Sequence, residues 1–596
     1  MGILENIKNP SDIKELNNEQ LSLIAKEIRS QILEVTKNNG GHLSSNLGVV
    51  ESTIAIHKVF DLSKDRLVFD VGHQCYAHKI LSGRANEFNT VRLKGGISGF
   101  PDIQESVYDA FSTGHAGTSI SASLGICEAR DKQGKDFCVI NVVGDGSLVN
   151  GLNLEAITSS NQKPKNLIVV LNDNGMSISK NKNGFYKMIS RGTTRKGYIR
   201  SKTAIKRVVG KSFLARWLGR FRNFIKRLFN GDNYFENYGF KYVGVIDGND
   251  LKQMVKILER AKFVAKEKAV FLHVKTTKGK GYDIAEESAE LYHGVGKDYK
   301  ISSGTMACAL GEKINALIDE NPLVVALTAG MKQGTGLDKV ELKHPKNFYD
   351  VGIAEEFACT FAGGMASNGL KPIVAIYSTF LQRCYDQIVH DICMQNLPVI
   401  FCLDRAGFVG EDGKTHQGLF DLSYLSHIPN LTILSPINET DLSLALDYAI
   451  KLNSPVAIRY SKNGCDKEFN PLPYQDNMWQ KVKDGNDITV LAVGGRMLSL
   501  ALDFASASEK SVKVIAVRGV KPIDKELLKE ISSKTIITLE ENLLAGGFGS
   551  LLKDSLDGDF KVISLGVDDK FVGHGDVVFQ MESCGLTVDN MINLTK

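Results

Sequence analysis

The chain has 596 residues, 43% hydrophobic and 23% charged, with a net charge of +4. That length exceeds one hydrophobic core and calls for roughly two to four domains. The composition excludes a disordered chain, the small net charge gives no bulk attraction for nucleic acid, and no window reaches the apolar length that spans a bilayer.

The first sixteen residues, MGILENIKNPSDIKEL, contain no signal-peptide core, and Asn6 breaks the myristoylation pattern. Ten cysteines lie at no zinc or redox spacing, which points to reduced thiols in a cytoplasmic protein.

In chain order, short β-branched runs alternate with helical periodicity. The first set is RLVFDVG, DFCVINVVGDG, NLIVVLNDN and AVFLHVKTTKGKG. The second is NPLVVALTAG, KPIVAIYSTF, LPVIFCLDRAG and SPVAIRYS, and the third DITVLAVGG, VKVIAVRGV and KTIITLEEN. Runs apolar on both faces suit parallel sheets covered by helices. The expected class is therefore α/β, with three consecutive modules. Polar stretches at 285–300 and 470–480 mark the breaks, giving domains 1–300, 301–475 and 480–596.

Ligands in such sheets sit at the carboxyl ends of the strands. Two strands of the first module end on Gly144-Asp145-Gly146-Ser147 and Asn172-Asp173-Asn174, about thirty residues apart, the length of a strand-helix-strand unit. The glycines let backbone approach a ligand, and SLVNGLNLEAITSS reads as a helix whose first amides face an anion. Asp145 and Asn174 offer hard oxygen donors suited to magnesium, with phosphate or water completing the shell. Singly, Asp-Gly is a turn and Asn-Asp-Asn a loop; paired at this spacing they point to a metal clip for a diphosphate. His42, His73 and His115, the last beside Gly114, lie in Gly/Ser-rich turns of the same module. One such histidine is ordinarily a surface or core residue, whereas three beside a metal clip suit proton transfer and stabilisation of a developing oxyanion.

The string GDGS followed by LNDNGMSIS resembles the diphosphate-binding motif of thiamine-diphosphate enzymes. The likeness narrows, over essentially the whole chain, to the 1-deoxy-D-xylulose-5-phosphate synthase family. It is carried by GGHLSSNLGVVE, FDVGHQCYAHKILSGR, GHAGTSISASLG, GIAEEFA, KPIVAIYSTFLQRCYDQIVHD, LDRAGFVGEDGKTHQGLFDLSYL and TLEENLLAGGFGS.

The resemblance implies a transketolase-like fold and condensation of pyruvate with D-glyceraldehyde 3-phosphate to 1-deoxy-D-xylulose 5-phosphate and carbon dioxide, a precursor for isoprenoid, thiamine and pyridoxal synthesis. It implies thiamine diphosphate and magnesium as cofactors, a homodimer, and a cofactor lying between the first two modules. Asp145, Asn174 and the Met176 carbonyl are the implied metal ligands. His73, Gly114, His115, Gly144, Gly146 and Ser147 join them at the cofactor. Glu355, held against apolar surface with a raised pKa, would share a proton with the pyrimidine ring; alone it reads as a helix cap. His42, His115 and His293 are placed around the reactive carbon or the diphosphate, while Tyr377, Arg383, Asp412 and His416 handle pyruvate and its adduct. Arg405 and Arg459, at strand ends, are assigned to the acceptor phosphate, where either alone would otherwise be an ordinary salt-bridge residue.

Three positions depart from the family's common pattern: Lys462 replaces an arginine, Asn249 a histidine and Gly175 a glutamate. They bear on acceptor affinity more than on reaction type. Residues 174–231 contain no Asp or Glu, and within the insertion at about 180–231 the stretch 211–229 sets Phe213, Trp217, Phe221, Phe224 and Leu228 on one helical face with bases opposite. Such a helix suits an anionic membrane or a partner, but a lid or connector packed on the enzyme is the preferred reading. Two other functions compete with the synthase: transketolase-type transfer of two-carbon ketol units, and a non-catalytic paralogue that only binds. The family-specific strings oppose the first and the complete residue set opposes the second.

Overall fold

Nineteen strands run through the computed structural model, which describes residues 2–175, 234–300, 303–475 and 478–596. Two compact units result, one of residues 1–91 and 99–300, the other of residues 92–98 and 301–596.

In the first unit, β1 (Gly41–His42) pairs antiparallel with β7 (Gly294–Val295). A five-stranded sheet is built from β2 (Arg66–Phe69), β3 (Val139–Gly144), β4 (Leu167–Asp173), β5 (Lys241–Asp247) and β6 (Val270–Lys275). Its order is β2-β3-β4-β6-β5, with every pair parallel. β3 and β4 are apolar runs buried on both faces, as a strand inside a helix-covered sheet must be. Helices start where side chains satisfy their first amides. Asn17 accepts from Glu19 and Gln20 ahead of the helix Asn18–Asn39, and Asp250 accepts from Gln253 ahead of Leu251–Ala265.

The second unit contains two sheets. The larger is formed by β8 (Val324–Thr328), β9 (Phe348–Asp350), β10 (Lys371–Tyr377), β11 (Ile400–Asp404), β12 (Thr432–Leu434) and β13 (Val456–Arg459). The smaller has β14 (Trp479–Lys483), β15 (Ile488–Ala492), β16 (Val512–Val517), β18 (Thr535–Leu543) and β19 (Lys561–Val567). Between β16 and β18 in sequence, β17 (Gly519–Lys521) crosses to the larger sheet and pairs antiparallel with β12. The larger sheet thus runs β17-β12-β13-β11-β10-β8-β9 and the smaller β14-β16-β15-β18-β19, and only β14 and β17 oppose their neighbours.

All eleven expected strands are present, and the fold is α/β with mainly parallel sheets. Missing from the sequence reading are the short strands and edges, notably β5, whose half-exposed pattern lacks the apolar run of a buried strand. The segment read as one helix from Ser147 is two, Asp145–Leu148 and Gly151–Thr158. Asn150 breaks it by adopting extended backbone and capping Leu152. The basic helix 211–229 and Met176 lie outside the described residues. Among the described residues no helix is long and apolar enough to cross a membrane.

Arg518, between β16 and β17, fastens the crossover. It is 2% exposed and donates through Nε and Nη2 to the carboxylate of fully buried Asp441 at 3.0 and 2.6 Å. Arg518→Ala should cost roughly 3–5 kcal/mol, because it leaves the Asp441 charge buried and unmatched. The midpoint of urea unfolding measures this, and a wild-type midpoint would show that the pair contributes nothing.

Candidate active site

Parallel register delivers the first group of residues. Gly144 is level with Asn172 on neighbouring β3 and β4, so Asp145 and Asn174 leave the same sheet end from strands about 4.8 Å apart. Asp145 is 2% exposed. Burial, reinforced by Asp173, pushes its carboxyl up to about 8 against the opposing pull of Lys278. Lys278, itself buried, has its ammonium pushed down to about 8 by loss of water, with Asp145 and Glu290 opposing. Asp173 is held by His273, whose Nε2 lies 2.7 Å from Oδ2. Two carboxylates out of water beside one weakened ammonium are a donor set that a divalent cation would stabilise. Among the described residues no three His, Cys, Asp or Glu converge as metal ligands. Asp145 and Asn174 offer one carboxylate and one amide oxygen at this edge, donors of the type that a hard divalent ion takes.

Three histidines meet beside this edge in the fold. His42 sits opposite Gly294 in the short ladder, next to His293. The ring centroids of His42, His73 and His293 are 5.1–5.6 Å apart. Ser45 joins two of them, its Oγ lying 3.0 Å from His73 Nε2 and 3.2 Å from His293 Nδ1. Desolvation, helped by Lys278 and the two neighbouring rings, holds His293 well below the usual imidazole range, so this ring is neutral near pH 7. Asn46 fixes the backbone, donating from Nδ2 to the carbonyls of His42 at 2.6 Å and His73 at 2.7 Å. His115, half-buried, lies with buried Gly114 on the loop before the helix Ser119–Lys132.

In the second unit Glu355 opens the helix Glu355–Ala366 and is 3% exposed. Burial raises its carboxyl to about 7, moderated by Arg383, whose Nη1 is 3.7 Å from Oε2. That oxygen has no hydrogen-bond partner among the described residues. Tyr377 ends β10, with its phenol pushed up to about 12 by burial. The Arg405 guanidinium lies 4.3 Å over the Tyr377 ring and donates to the carbonyls of Gly334 at 2.7 Å and Ser303 at 3.0 Å. A Cβ on Gly334 would stand 2.2 Å from the Tyr377 hydroxyl, so any larger residue there would displace the ring. Phe380 stacks on Tyr377 and meets the His416 ring edge-on at 5.6 Å. Desolvation lowers the His416 pKa, opposed by Asp412, which is ion-paired with Arg92. Arg459 stands apart. It is 4% exposed, its Nε lies 3.0 Å from Asp421 Oδ2 and its Nη2 donates to the Glu541 carbonyl at 3.2 Å. Both arginines expected at the acceptor phosphate carry a carboxylate partner, Asp421 for Arg459 and, at 2.8 Å, Asp404 for Arg405.

Residues 4–276 match the family model described as 1-deoxy-D-xylulose-5-phosphate synthase, residues 302–466 the transketolase pyrimidine binding domain, and residues 477–591 the transketolase C-terminal domain. A protein of Carboxydothermus hydrogenoformans named 1-deoxy-D-xylulose-5-phosphate synthase is 46% identical, covering 99% of this chain and 98% of its own. The chain belongs to the 1-deoxy-D-xylulose-5-phosphate synthase family. A protein of the same name from Clostridium tetani is 43% identical over 96% of both chains. Among solved structures, a Campylobacter jejuni transketolase is similar at 18% identity and a TM-score of 0.43, covering 97% of this chain and 99% of its own.

Asn249 is fully employed, donating to the Gly48 carbonyl at 3.1 Å and accepting from Thr277 N at 2.8 Å, which steadies the turn leading to Lys278. Lys278 and Ser45 are the residues that sequence reasoning missed. Their signals were a lysine in a glycine-rich strand exit, TTKGKGYD, and a serine between histidine and asparagine in GHLSSNLG.

The Glu355 carboxyl supplies a test in the cofactor-free chain. Its folded value of about 7 lies above the ordinary 4.5, so its stability contribution is complete below 4.5 and is lost as pH rises through 7. Glu355→Gln should therefore stabilise the chain at pH 8 by up to about 3 kcal/mol and change it little at pH 4.5, as read by thermal unfolding. Arg383→Met should move the carboxyl titration upward, followed by the infrared carboxyl stretch. Equal effects of Glu355→Gln at both pH values would contradict the assigned burial.

Proposed function

We propose that the chain condenses pyruvate with D-glyceraldehyde 3-phosphate, releasing carbon dioxide and forming 1-deoxy-D-xylulose 5-phosphate, with thiamine diphosphate and magnesium as cofactors. The observation that carries the reading is Glu355: a buried carboxyl raised to about 7, with one oxygen lacking a hydrogen-bond partner among the described residues. A group so placed is part protonated near pH 7 and can give or accept a proton at a ring nitrogen. When bound, thiamine diphosphate supplies the electron sink for decarboxylation.

The protein's own residues divide the remaining work. Asp145 and Asn174 would hold magnesium, and His73, Gly114, His115, Gly144, Gly146 and Ser147 would line the diphosphate. Lys278 adds a cation beside Asp145. His293, held neutral, together with His42 and His115, donates to oxygens that gain charge. Arg383 and Tyr377 would orient pyruvate, and His416 with Asp412 would move a proton at the donor site. Arg405 grips the acceptor phosphate, with exposed Lys462 nearby as a second, more labile charge. Arg459 serves as scaffold through Asp421.

Exposed Phe357 and Met394 suit cover by a second copy in a homodimer. Ten free cysteines suit a reducing cytoplasm.

A product assay with both substrates, with and without thiamine diphosphate and magnesium, tests the proposal. Glu355→Ala should lower carbon dioxide release by at least about a hundredfold while circular dichroism stays unchanged. Turnover of xylulose 5-phosphate with ribose 5-phosphate and no need for pyruvate would replace the synthase by a transketolase. Absence of any turnover with cofactor uptake intact would leave a binding paralogue.

A further inference from the structure

Asp70 follows β2, is 1% exposed, and has no ion-pair partner among the described residues. Its charge is instead met by hydrogen-bond donors. Oδ1 accepts from Gly117 N at 2.8 Å and from Ser147 Oγ. Oδ2 accepts from Ser119 N at 3.1 Å, Ser119 Oγ at 2.7 Å and Asn153 Nδ2 at 3.4 Å. Five donors occupy a carboxylate with about four lone-pair sites. A cation ligand would need those lone pairs, and the donors' hydrogens would repel a metal, so Asp70 is not a ligand.

The donors come from two segments, the loop and helix start at 117–119 and the short helices Asp145–Leu148 and Gly151–Thr158. Gly117 and Ser119 follow Gly114 and His115, while Ser147 and Asn153 follow Asp145. The segments are in tight contact, since a Cβ on Gly117, at φ +90°, would stand 2.1 Å from Asn150 Oδ1. Asp70 also begins the turn to His73. Its carbonyl accepts from Gly72 N at 2.6 Å and Gln74 Nε2 at 3.1 Å. The turn itself is strained, with β-branched Val71 at φ +60°. A Cβ on Gly72 would lie 2.4 Å from both Pro101 and Thr113.

We propose that Asp70 is the positioning residue that preassembles the loops bearing His73, His115 and Asp145, so that the diphosphate meets an already ordered cradle. The claim rests on the cofactor assignment above but concerns a residue outside the proposed cofactor ligands, its carboxylate taken up by protein donors. A carboxylate is required because one backbone N–H faces each oxygen. In Asp70→Asn, either amide orientation turns an NH2 group towards the N–H of Gly117 or of Ser119, and neither backbone donor can rotate away.

Hydrogen exchange on the cofactor-free chain and calorimetric titration with thiamine diphosphate plus magnesium test this. Asp70→Asn should speed exchange in residues 114–119 and 145–153 by at least about tenfold and weaken cofactor affinity by about tenfold or more, with β3 and β4 still protected. Ser119→Ala, which keeps the backbone bond, should loosen the same segments less. Leu258→Ala, a core cut in the helix Leu251–Ala265, serves as a control at matched loss of Tm and should leave both readouts near wild type. Unchanged exchange and affinity in Asp70→Asn would overturn the proposal, as would equal weakening by Leu258→Ala. If Asp70→Asn does not fold, failure of Ser119→Ala to loosen the loops overturns it alone. Lack of uptake by the wild-type chain would refute the cofactor assignment, while the exchange result still judges Asp70.

Discussion

Loss of water around ionisable groups is the constraint on which the rest of this molecule depends. Asp145 and Glu355 would be ordinary ionised carboxylates on an open surface. Placed at a strand end and a helix start, nearly out of solvent, both are raised far above the carboxylate range. The two shifts serve different ends. Asp145 lies with Asp173 and a weakened Lys278, an arrangement that favours an incoming cation. Glu355 meets one guanidinium, that of Arg383 at 3.7 Å, which moderates the rise without cancelling it.

Sheet geometry makes such burial affordable. Parallel strands covered by helices are apolar along their length, and their chain becomes polar only at the exits. Asp145, Asn174, Tyr377 and Arg405 all stand at or just past such exits. Polar loops are then held by backbone-directed bonds rather than by exposed ion pairs: Asn46 clasps the His42 and His73 turns, and Asn249 clasps the approach to Lys278.

Legibility in the sequence followed locality. The strands of the three sheets were readable because each central strand carries its own apolar run, and Asp145 with Asn174 because their spacing is that of one strand-helix-strand unit. Glu355 was readable through resemblance, since an acid at a helix start is otherwise a cap. Lys278 and Ser45 escaped because each has a partner far along the chain, Asp145 for Lys278 and His293 for Ser45. Arg459 was assigned by its place at a strand end, yet Asp421, 38 positions earlier, determines where its guanidinium points. The break at Asn150 was missed because Leu148, Leu152 and Leu154 carry a helical apolar pattern across it, although Asn150-Gly151 is a turn dipeptide.

The exchange of β17 between sheets has a consequence for how such chains can be recombined. A seam drawn through the polar stretch at 470–480 looks natural, but everything beyond it includes the edge strand of the preceding sheet. A hybrid joined there with a foreign carboxyl-terminal half must import a β17 whose side chains suit the host's β12 and an arginine that meets the host's Asp441. Shuffling at that junction therefore inherits a pairing problem that the linker's appearance conceals.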